Sequence, residues 1–429
     1  MPDSVRVHPP LAPLSATLTP PGSKSLTNRA ILLAAIADGT SIMRGCLDSE
    51  DTRVMLAAIA RLGLAHTISS DRTTITLTGA AGPLRSLSDP ERPLDVATAG
   101  TAARFLTAVL AASPLTSRVD GTPRMRERPM EGLLHALRTQ GADIRGLGLT
   151  DESLPIEIHG AHLRGGEIRL QRPPSSQFIS ALILAAALAE RPTRIILEQG
   201  TPARPYVDMT LDVLRKFGGS AHCPTADEIH IDPTPLQSRD YIVEPDASAA
   251  SYLLALPAIH GGSVTVQLGR TSVQGDADFC EVLARMGAHV ARTDNTTTVT
   301  GTGHLHGVDL DLTAMPDMTL TAAVLALHAR GRTRITGVDV LRHHESDRIA
   351  AAATELRKLG ATVTELPDGL VIDPPLTPNR DIPIDTYLDH RMAMAFSLAG
   401  HVEIRDPACV GKTYPDFFAV LARLGMCSP

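Results

Sequence analysis

"DVLRKFGGS", Asp212 to Ser220, reads as the end of an amphipathic helix: Val213, Leu214 and Phe217 are apolar at helical spacing, Arg215 and Lys216 fill the last turn, and Gly218 stands where a left-handed cap is needed. The same ending recurs along the chain, as "AAIARLGLA" (57–65), "HALRTQGAD" (135–143), "EVLARMGAH" (281–289), "TELRKLGAT" (354–362) and "AVLARLGMC" (419–427). Counting the first, the terminating glycines are Gly63, Gly141, Gly218, Gly287, Gly360 and Gly425, about 70 residues apart. Such a period marks a chain of equivalent structural units. Most endings lead into an alternating stretch, such as "HTISSDRTTITLTG" (66–79), which predicts strand, turn, strand.

A second series lies between these endings: "GSKSLTNRAILLAAIADG", "TAGTAARFLTAVLAAS", "PSSQFISALILAAALAE", "PDASAASYLLALPAIHG", "MPDMTLTAAVLALHARG" and "LDHRMAMAFSLAG". Each opens on small polar or charged residues and continues apolar on nearly all sides, the pattern of a helix buried in a core. The chain therefore reads as α/β, six units each with strands and two helices. After Gly425 no strands follow, whereas "VRVHPPLAPLSATLTP" (5–20) precedes the first buried helix without a unit of its own. We expect residues 1–20 to complete a three-unit domain with 245–429, and 21–244 to form an inserted three-unit domain, with a hinge near 20–22 and 243–246.

Composition sets the function classes. At 429 residues, 43% hydrophobic and 20% charged, the chain is long enough for two cores and reads as soluble. A net charge of -7 and 3% aromatic content, with no Trp, argue against a nucleic-acid binder. Five scattered cysteines suggest free thiols in a reducing compartment. The N-terminus has no apolar signal region and no apolar run is long enough to span a bilayer, so a cytoplasmic location is expected.

The starts of the buried helices carry the chemistry. A helix N-terminus offers unpaired N–H groups and partial positive charge, a natural anion site. Ser25 and Thr27, Thr98 and Thr101, Ser175, Ser176 and Gln177, Asp246 and Ser248, Asp317 and Thr319, and Asp389, His390 and Arg391 stand at these starts. The first, "PPGSKSLTNR" (20–29), has the composition of a phosphate loop but lacks both glycines of the nucleotide-triphosphate pattern. Arginine-rich islands accompany the starts: "TPRMRERP" (122–129) and "LRHHESDR" (341–348), with "DHRMAMAF" and "GKTYPDF" adding Arg391 and Lys412. Of 40 basic residues only Lys24, Lys216, Lys358 and Lys412 are lysine. Lys216 and Lys358 read as surface residues of amphipathic helices. Lys24 and Lys412 fall in the anion-binding motifs, where an ammonium has a removable proton and a guanidinium does not.

The motifs "PGSKSLTNRA", "AGTAARFLTA", "PRMRERPM", "SSQFISALI", "RPYVDMTL", "DASAASYLL", "QGDADF", "PDMTLTAA", "ESDRIAAAATELRKLGA", "DHRMAMAFSL" and "KTYPDFF" resemble, in order and across the full chain, those of the 5-enolpyruvylshikimate-3-phosphate synthase family. The resemblance implies an enolpyruvyl transferase-like, two-domain inside-out α/β barrel of six βαβαββ units. It implies transfer of the enolpyruvyl group of phosphoenolpyruvate to the 5-hydroxyl of shikimate 3-phosphate, with no metal and no organic cofactor. It places Lys24, Ser25, Arg29, Ser175, Ser176, Gln177 and Asp317 around shikimate 3-phosphate, and His344, where the family has a lysine, is expected to serve the same substrate. Around phosphoenolpyruvate it places Lys24, Gly100, Arg128, Gln177, Arg348, Arg391 and Lys412, with Arg124 and Tyr206 in matching motifs. Asp317 is implied as the base, and we expect Glu345 to be the partner in proton transfer at the methylene, with Lys24 and Lys412 near the bridging oxygen. A monomer is expected, with no nucleic-acid or membrane partner.

Several positions depart from the family pattern: His344 in place of a lysine, Val340 of an asparagine, Ala203 of a serine, Thr98 of an asparagine and Phe105 of a proline. They bear on contacts to shikimate 3-phosphate more than on the reaction. The enzymatic alternative is transfer to UDP-N-acetylglucosamine, whose enzyme usually carries a reactive cysteine in a first-domain loop; "TPRMRERPM" contains none. A non-catalytic anion-binding protein is the other alternative, and Lys24, Asp317, Glu345 and Lys412 argue against it. Gly100 predicts sensitivity to glyphosate.

Overall fold

Six helices are apolar on nearly every face and lie in cores: Lys24–Ile36, Gly100–Ala111, Ser176–Ala186, Ala247–His260, Thr319–Leu327 and His390–Ser397. Every residue of Gly100–Ala111 and of Thr319–Leu327 is buried. The amphipathic partners are Glu50–Arg61, Glu131–Thr139, Arg204–Lys216, Phe279–Arg285, Arg348–Lys358 and Phe417–Arg423. Each of these is followed within two residues by one of the six predicted glycines, from Gly63 at φ 77° to Gly425 at φ 71°, a conformation that side chains with a Cβ disfavour.

The computed structural model describes residues 3–148 and 150–428, and these divide into two units. The inner unit is Gly22–Glu244; the outer unit is the chain up to Pro21 together with that from Pro245 onward. Each unit has three main sheets with one wiring: a parallel pair, then an antiparallel strand, then in five of the six a further antiparallel strand. In the sheet Leu94–Asp95, Thr116–Asp120, Ile156–His159, Asp143–Gly146, the buried helix Gly100–Ala111 is the crossover that a parallel pair requires.

The strands that precede the first and fourth buried helices pair far from their neighbours in sequence. Leu14–Leu18 runs parallel to Gly262–Val266 in the outer unit, and Asp240–Ile242 runs parallel to Thr40–Arg44 in the inner one. The N-terminal segment thus serves two sheets, because Ser4–Val7 also pairs with Val402–Arg405 beside Ile382–Ile384. A single bridge, Val7 to Cys427, stands where the other sheets have a fourth strand.

Two local expectations change. The first helix is capped by Ser23, whose Oγ accepts from Leu26 N at 3.4 Å, and Thr27 is buried with its hydroxyl accepting from Leu47 N at 3.1 Å. Lys358 is not a simple surface residue: it pairs with the fully buried Glu355 at 2.8 Å. No helix among the described residues is long and apolar enough to cross a membrane.

Candidate active site

In the outer unit the start of His390–Ser397 organises a charge cluster. Asp389 caps that helix, accepting from Arg391 N at 3.0 Å, and its side chain is fully buried. An ionised carboxylate there needs a counter-charge. Arg348 supplies it with a forked pair, Nε to Oδ2 at 2.8 Å and Nη2 to Oδ1 at 3.1 Å, and Ser346 Oγ adds a hydrogen bond at 3.0 Å. The remaining donors of Arg348 reach Asp317 Oδ1 at 3.0 Å and Glu345 Oε2 at 2.9 Å.

Asp317 lies in the tight turn Pro316–Met318 ahead of its helix, so its carboxylate is a bridge and not a cap. Its second oxygen takes Arg391 Nη2 at 2.8 Å. Glu345 presents its other oxygen to Lys412 Nζ at 3.1 Å, which arrives from the short helix Pro407–Lys412. His344 Nδ1 stands 2.9 Å from Arg348 Nη1, which makes that nitrogen an acceptor. Burial works against the charge on Arg348, and Asp389, Glu345 and Asp317 override it, so its pKa is raised above the ordinary arginine value. Three cations, Arg348, Arg391 and Lys412, thus face three carboxylates.

Behind Arg391 a further layer comes from Ala247–His260. Tyr252 Oη and Ser248 Oγ accept from the guanidinium at 3.3 and 3.4 Å, and Ser248 Oγ donates to the buried Asp276 at 2.5 Å. Sequence patterns single out Ser248 by its place at a helix start, whereas Asp276 and Tyr252 fall in the motifs "QGDADF" and "DASAASYLL" without an assigned role.

The inner unit holds a differently balanced cluster. Lys24 opens the first buried helix and pairs with Asp51 at 3.4 Å, both largely buried. Arg29, one turn on, is 2% exposed and among the described residues is held only by neutral acceptors: Thr210 Oγ1 at 2.8 Å, Ser180 Oγ at 3.2 Å, and the carbonyls of Ser25 and Tyr206 at 3.0 Å. Its guanidinium also lies 5.1 Å from the centre of the Phe105 ring, which gives that departure a structural role. Burial without a nearby carboxylate lowers its pKa to about 10.

Arg128 is also buried without a carboxylate partner among the described residues. It is 6% exposed, donates to Thr98 O at 3.2 Å and contacts Met125 Sδ at 3.9 Å, while its Nε has no partner among the described residues. Gly100 begins the helix beside it. A Cβ there would stand 2.7 Å from both Arg128 Nη atoms and 2.6 Å from Arg104 Nη1, closer than packing allows. Ser175 caps Ser176–Ala186 through Gln177 N at 3.2 Å, and Gln177 Nε2 reaches Thr101 Oγ1 at 3.3 Å. The Gln177 amide oxygen remains buried without a partner among the described residues. Arg124 is half-exposed on the short helix Pro123–Glu127, paired with Glu127 at 2.9 Å.

Among the described residues no group of three or more His, Cys, Asp or Glu side chains could hold a metal ion. Both clusters are instead suited to anions: buried guanidinium groups in each unit, and titratable carboxylates and a lysine in the outer one.

Comparison with known proteins finds relatives along the whole chain. The family model for EPSP synthase (3-phosphoshikimate 1-carboxyvinyltransferase) matches residues 9–421. The 3-phosphoshikimate 1-carboxyvinyltransferase of Serratia proteamaculans is 43% identical over 433 residues, covering 99% of each chain. That of Klebsiella pneumoniae is 43% identical over 422 residues, covering 97% of each. The solved EPSP synthase of Acinetobacter baumannii superposes with a TM-score of 0.81 at 27% identity, over 98% of both chains. The enolpyruvyl transferase NikO of Streptomyces tendae shares the fold, with a TM-score of 0.77 at 19% identity over 99% of both. From the ordered motifs and the whole-chain match to the family model, the chain belongs to the EPSP synthase family, the 3-phosphoshikimate 1-carboxyvinyltransferases.

Proposed function

We propose that the outer cluster carries the proton transfers of the family reaction and that buried arginines of both units hold its anionic substrates. The reaction moves the enolpyruvyl group of phosphoenolpyruvate to the 5-hydroxyl of shikimate 3-phosphate and releases phosphate. The 5-oxygen must lose a proton as it bonds to the substituted carbon of the enol. The methylene carbon must accept a proton and return one when phosphate leaves.

Asp317 is the base for the 5-hydroxyl, as a carboxylate whose charge is fixed by Arg348 and Arg391. Glu345 exchanges the methylene proton, with Lys412 beside it to supply or take up charge. The observation that carries this reading is Glu345 itself, one oxygen on Lys412 and the other on Arg348. A carboxylate so bridged can take a proton from its ammonium neighbour and give one back to the resulting amine, an exchange for which an arginine in place of Lys412 could not serve.

Lys24, Ser25, Arg29, Ser175, Ser176, Gln177, Asp317 and His344 are the contacts we assign to shikimate 3-phosphate. Lys24, Gly100, Arg128, Gln177, Arg348, Arg391 and Lys412 are those assigned to phosphoenolpyruvate. In support, Arg29 and Arg128 are buried cations facing no carboxylate among the described residues, which favours an anionic ligand.

The test is phosphate release with each acceptor and with Lys412→Arg. Turnover is expected with shikimate 3-phosphate and not with UDP-N-acetylglucosamine. Lys412→Arg is expected to lower kcat by about 100-fold or more with a smaller effect on KM. An unchanged kcat would remove Lys412 from the proton path. Inhibition by glyphosate, a monomer in solution and a cytoplasmic location belong to the same reading; a dose response, sedentation-velocity mass and cell fractionation test them in turn.

A further inference from the structure

The turn that brings Asp389 to Arg348 is built against the preferences of its own residues. Asp389 N donates to Thr386 O at 2.8 Å, closing a four-residue turn whose central residues, Tyr387 and Leu388, both stand at φ 55°. Positive φ at both positions suits Asn and Gly and disfavours large side chains. Burial does not offset the strain, because Leu388 is 73% exposed and Tyr387 42%.

What holds the turn is a fully buried carboxylate two helical turns beyond Arg348. Glu355 lies on Arg348–Lys358, the helix that Arg348 begins. Tyr387 Oη donates to its Oε1 at 2.8 Å, and Asp385 N to its Oε2 at 3.2 Å. Lys358 Nζ joins Glu355 at 2.8 Å to Asp385 at 2.7 Å. One helix thus grips the segment 385–389 twice, at Asp389 through Arg348 and at Asp385 and Tyr387 through Glu355. This accounts for Lys358, one of the two lysines that the reaction does not use.

We infer that Glu355 and Tyr387 are positioning residues for the phosphoenolpyruvate arginines: their clamp keeps a strained turn closed, so that Asp389 meets Arg348 with both oxygens. Arg348 fixes Asp317 in turn, and Asp317 fixes Arg391. The inference rests on the assignment of Arg348 and Arg391 to phosphoenolpyruvate.

Tyr387→Phe in the full chain removes one hydrogen bond and keeps the ring. The phosphoenolpyruvate KM is expected to rise about fivefold, the worth of one hydrogen bond, with the shikimate 3-phosphate KM unchanged and kcat within about twofold. Adding Leu388→Asn, which relaxes the turn, is expected to restore most of the lost affinity. Glu355→Gln is the second variant, with the same pattern expected. A lower Tm with an unchanged phosphoenolpyruvate KM in both variants would show a purely structural clamp and overturn the inference. Arg348→Lys separates the two levels. If it raises the phosphoenolpyruvate KM and Tyr387→Phe does not, only the positioning role fails; if it leaves that KM unchanged, the assignment of the site fails and the inference with it.

Discussion

The two clusters solve the problem of buried charge in opposite ways. In the outer unit Arg348 and Arg391 each meet a carboxylate within hydrogen-bond distance, and burial of the ions is offset by their pairing. In the inner unit Arg29 and Arg128 are as deeply buried, yet their neighbours are hydroxyls, carbonyls and a thioether. The difference teaches a division of labour. A cation without a counter-ion is a standing receptor for an anion, while a cation already held by carboxylates positions groups that exchange protons and must share itself when an anion arrives.

The sharpest break in this comparison is chemical. Glu345→Gln keeps the shape of the outer cluster but removes a titratable group, and kcat is expected to fall by about 10²- to 10⁴-fold with smaller changes in either KM. Arg29→Gln, in the inner cluster, is expected to act mainly on the shikimate 3-phosphate KM. Single-turnover and steady-state kinetics on both variants check the split. Equal loss of kcat in both would dissolve the proposed division.

Stability separates the clusters next. Arg348→Met strands Asp317, Glu345 and Asp389 with too few counter-charges and is expected to cost about 3–5 kcal/mol. Arg128→Met removes a buried charge that no carboxylate compensates, and stability is expected within about 1 kcal/mol of the parent or above it. Urea unfolding of both variants without substrate measures the contrast. A comparable loss in Arg128→Met would mean that its buried charge is compensated after all.

How far the sequence foretold these clusters depends on the separation of the partners. Gly63 to Gly425 and the buried helices were legible because each pattern is local and repeats with the unit. Lys24, Asp317, Glu345, Arg391 and Lys412 could be singled out because they stand at helix starts or in charged islands and in motifs that resemble a known family. Their partners were not. Asp51 reads as an ordinary acidic residue in the first turn of Glu50–Arg61, and its pairing with Lys24 exists only after packing. Glu355 reads as a helix-surface glutamate with Lys358 three residues on as its partner, and only the return of the chain at Tyr387 shows why it is buried. The pairing of Asp240–Ile242 with Thr40–Arg44 is likewise a long-range contact that no local periodicity encodes.

Gly100 sharpens the comparison within the inner unit. Gly100→Ala puts a methyl against the Arg104 and Arg128 guanidinium groups, 2.6 to 2.7 Å from three of their nitrogens. Arg128 has no carboxylate to hold it in place and must shift. The phosphoenolpyruvate KM is expected to rise about tenfold, with the shikimate 3-phosphate KM unchanged. Steady-state kinetics with each substrate varied in turn checks it, and a change confined to shikimate 3-phosphate would move Arg128 to the other substrate.

The finest distinction is one of pH. Burial lowers the Arg29 pKa to about 10, whereas the Asp389, Glu345 and Asp317 carboxylates overcome burial and raise that of Arg348. Lysine begins about two units lower than arginine, so the same burial acting on Arg29→Lys brings the ammonium toward the neutral range. The sign follows directly: as pH rises through that lowered pKa the charge is lost, and an anion bound to it is released. Shikimate 3-phosphate affinity in Arg29→Lys is therefore expected to fall severalfold between about pH 7 and 9, while the parent stays flat. Arg348→Lys, held by carboxylates, is expected to show no such alkaline limb in its phosphoenolpyruvate affinity. Titration calorimetry across this range reads both, and parallel pH profiles in the two lysine variants would show that the clusters share one electrostatic environment.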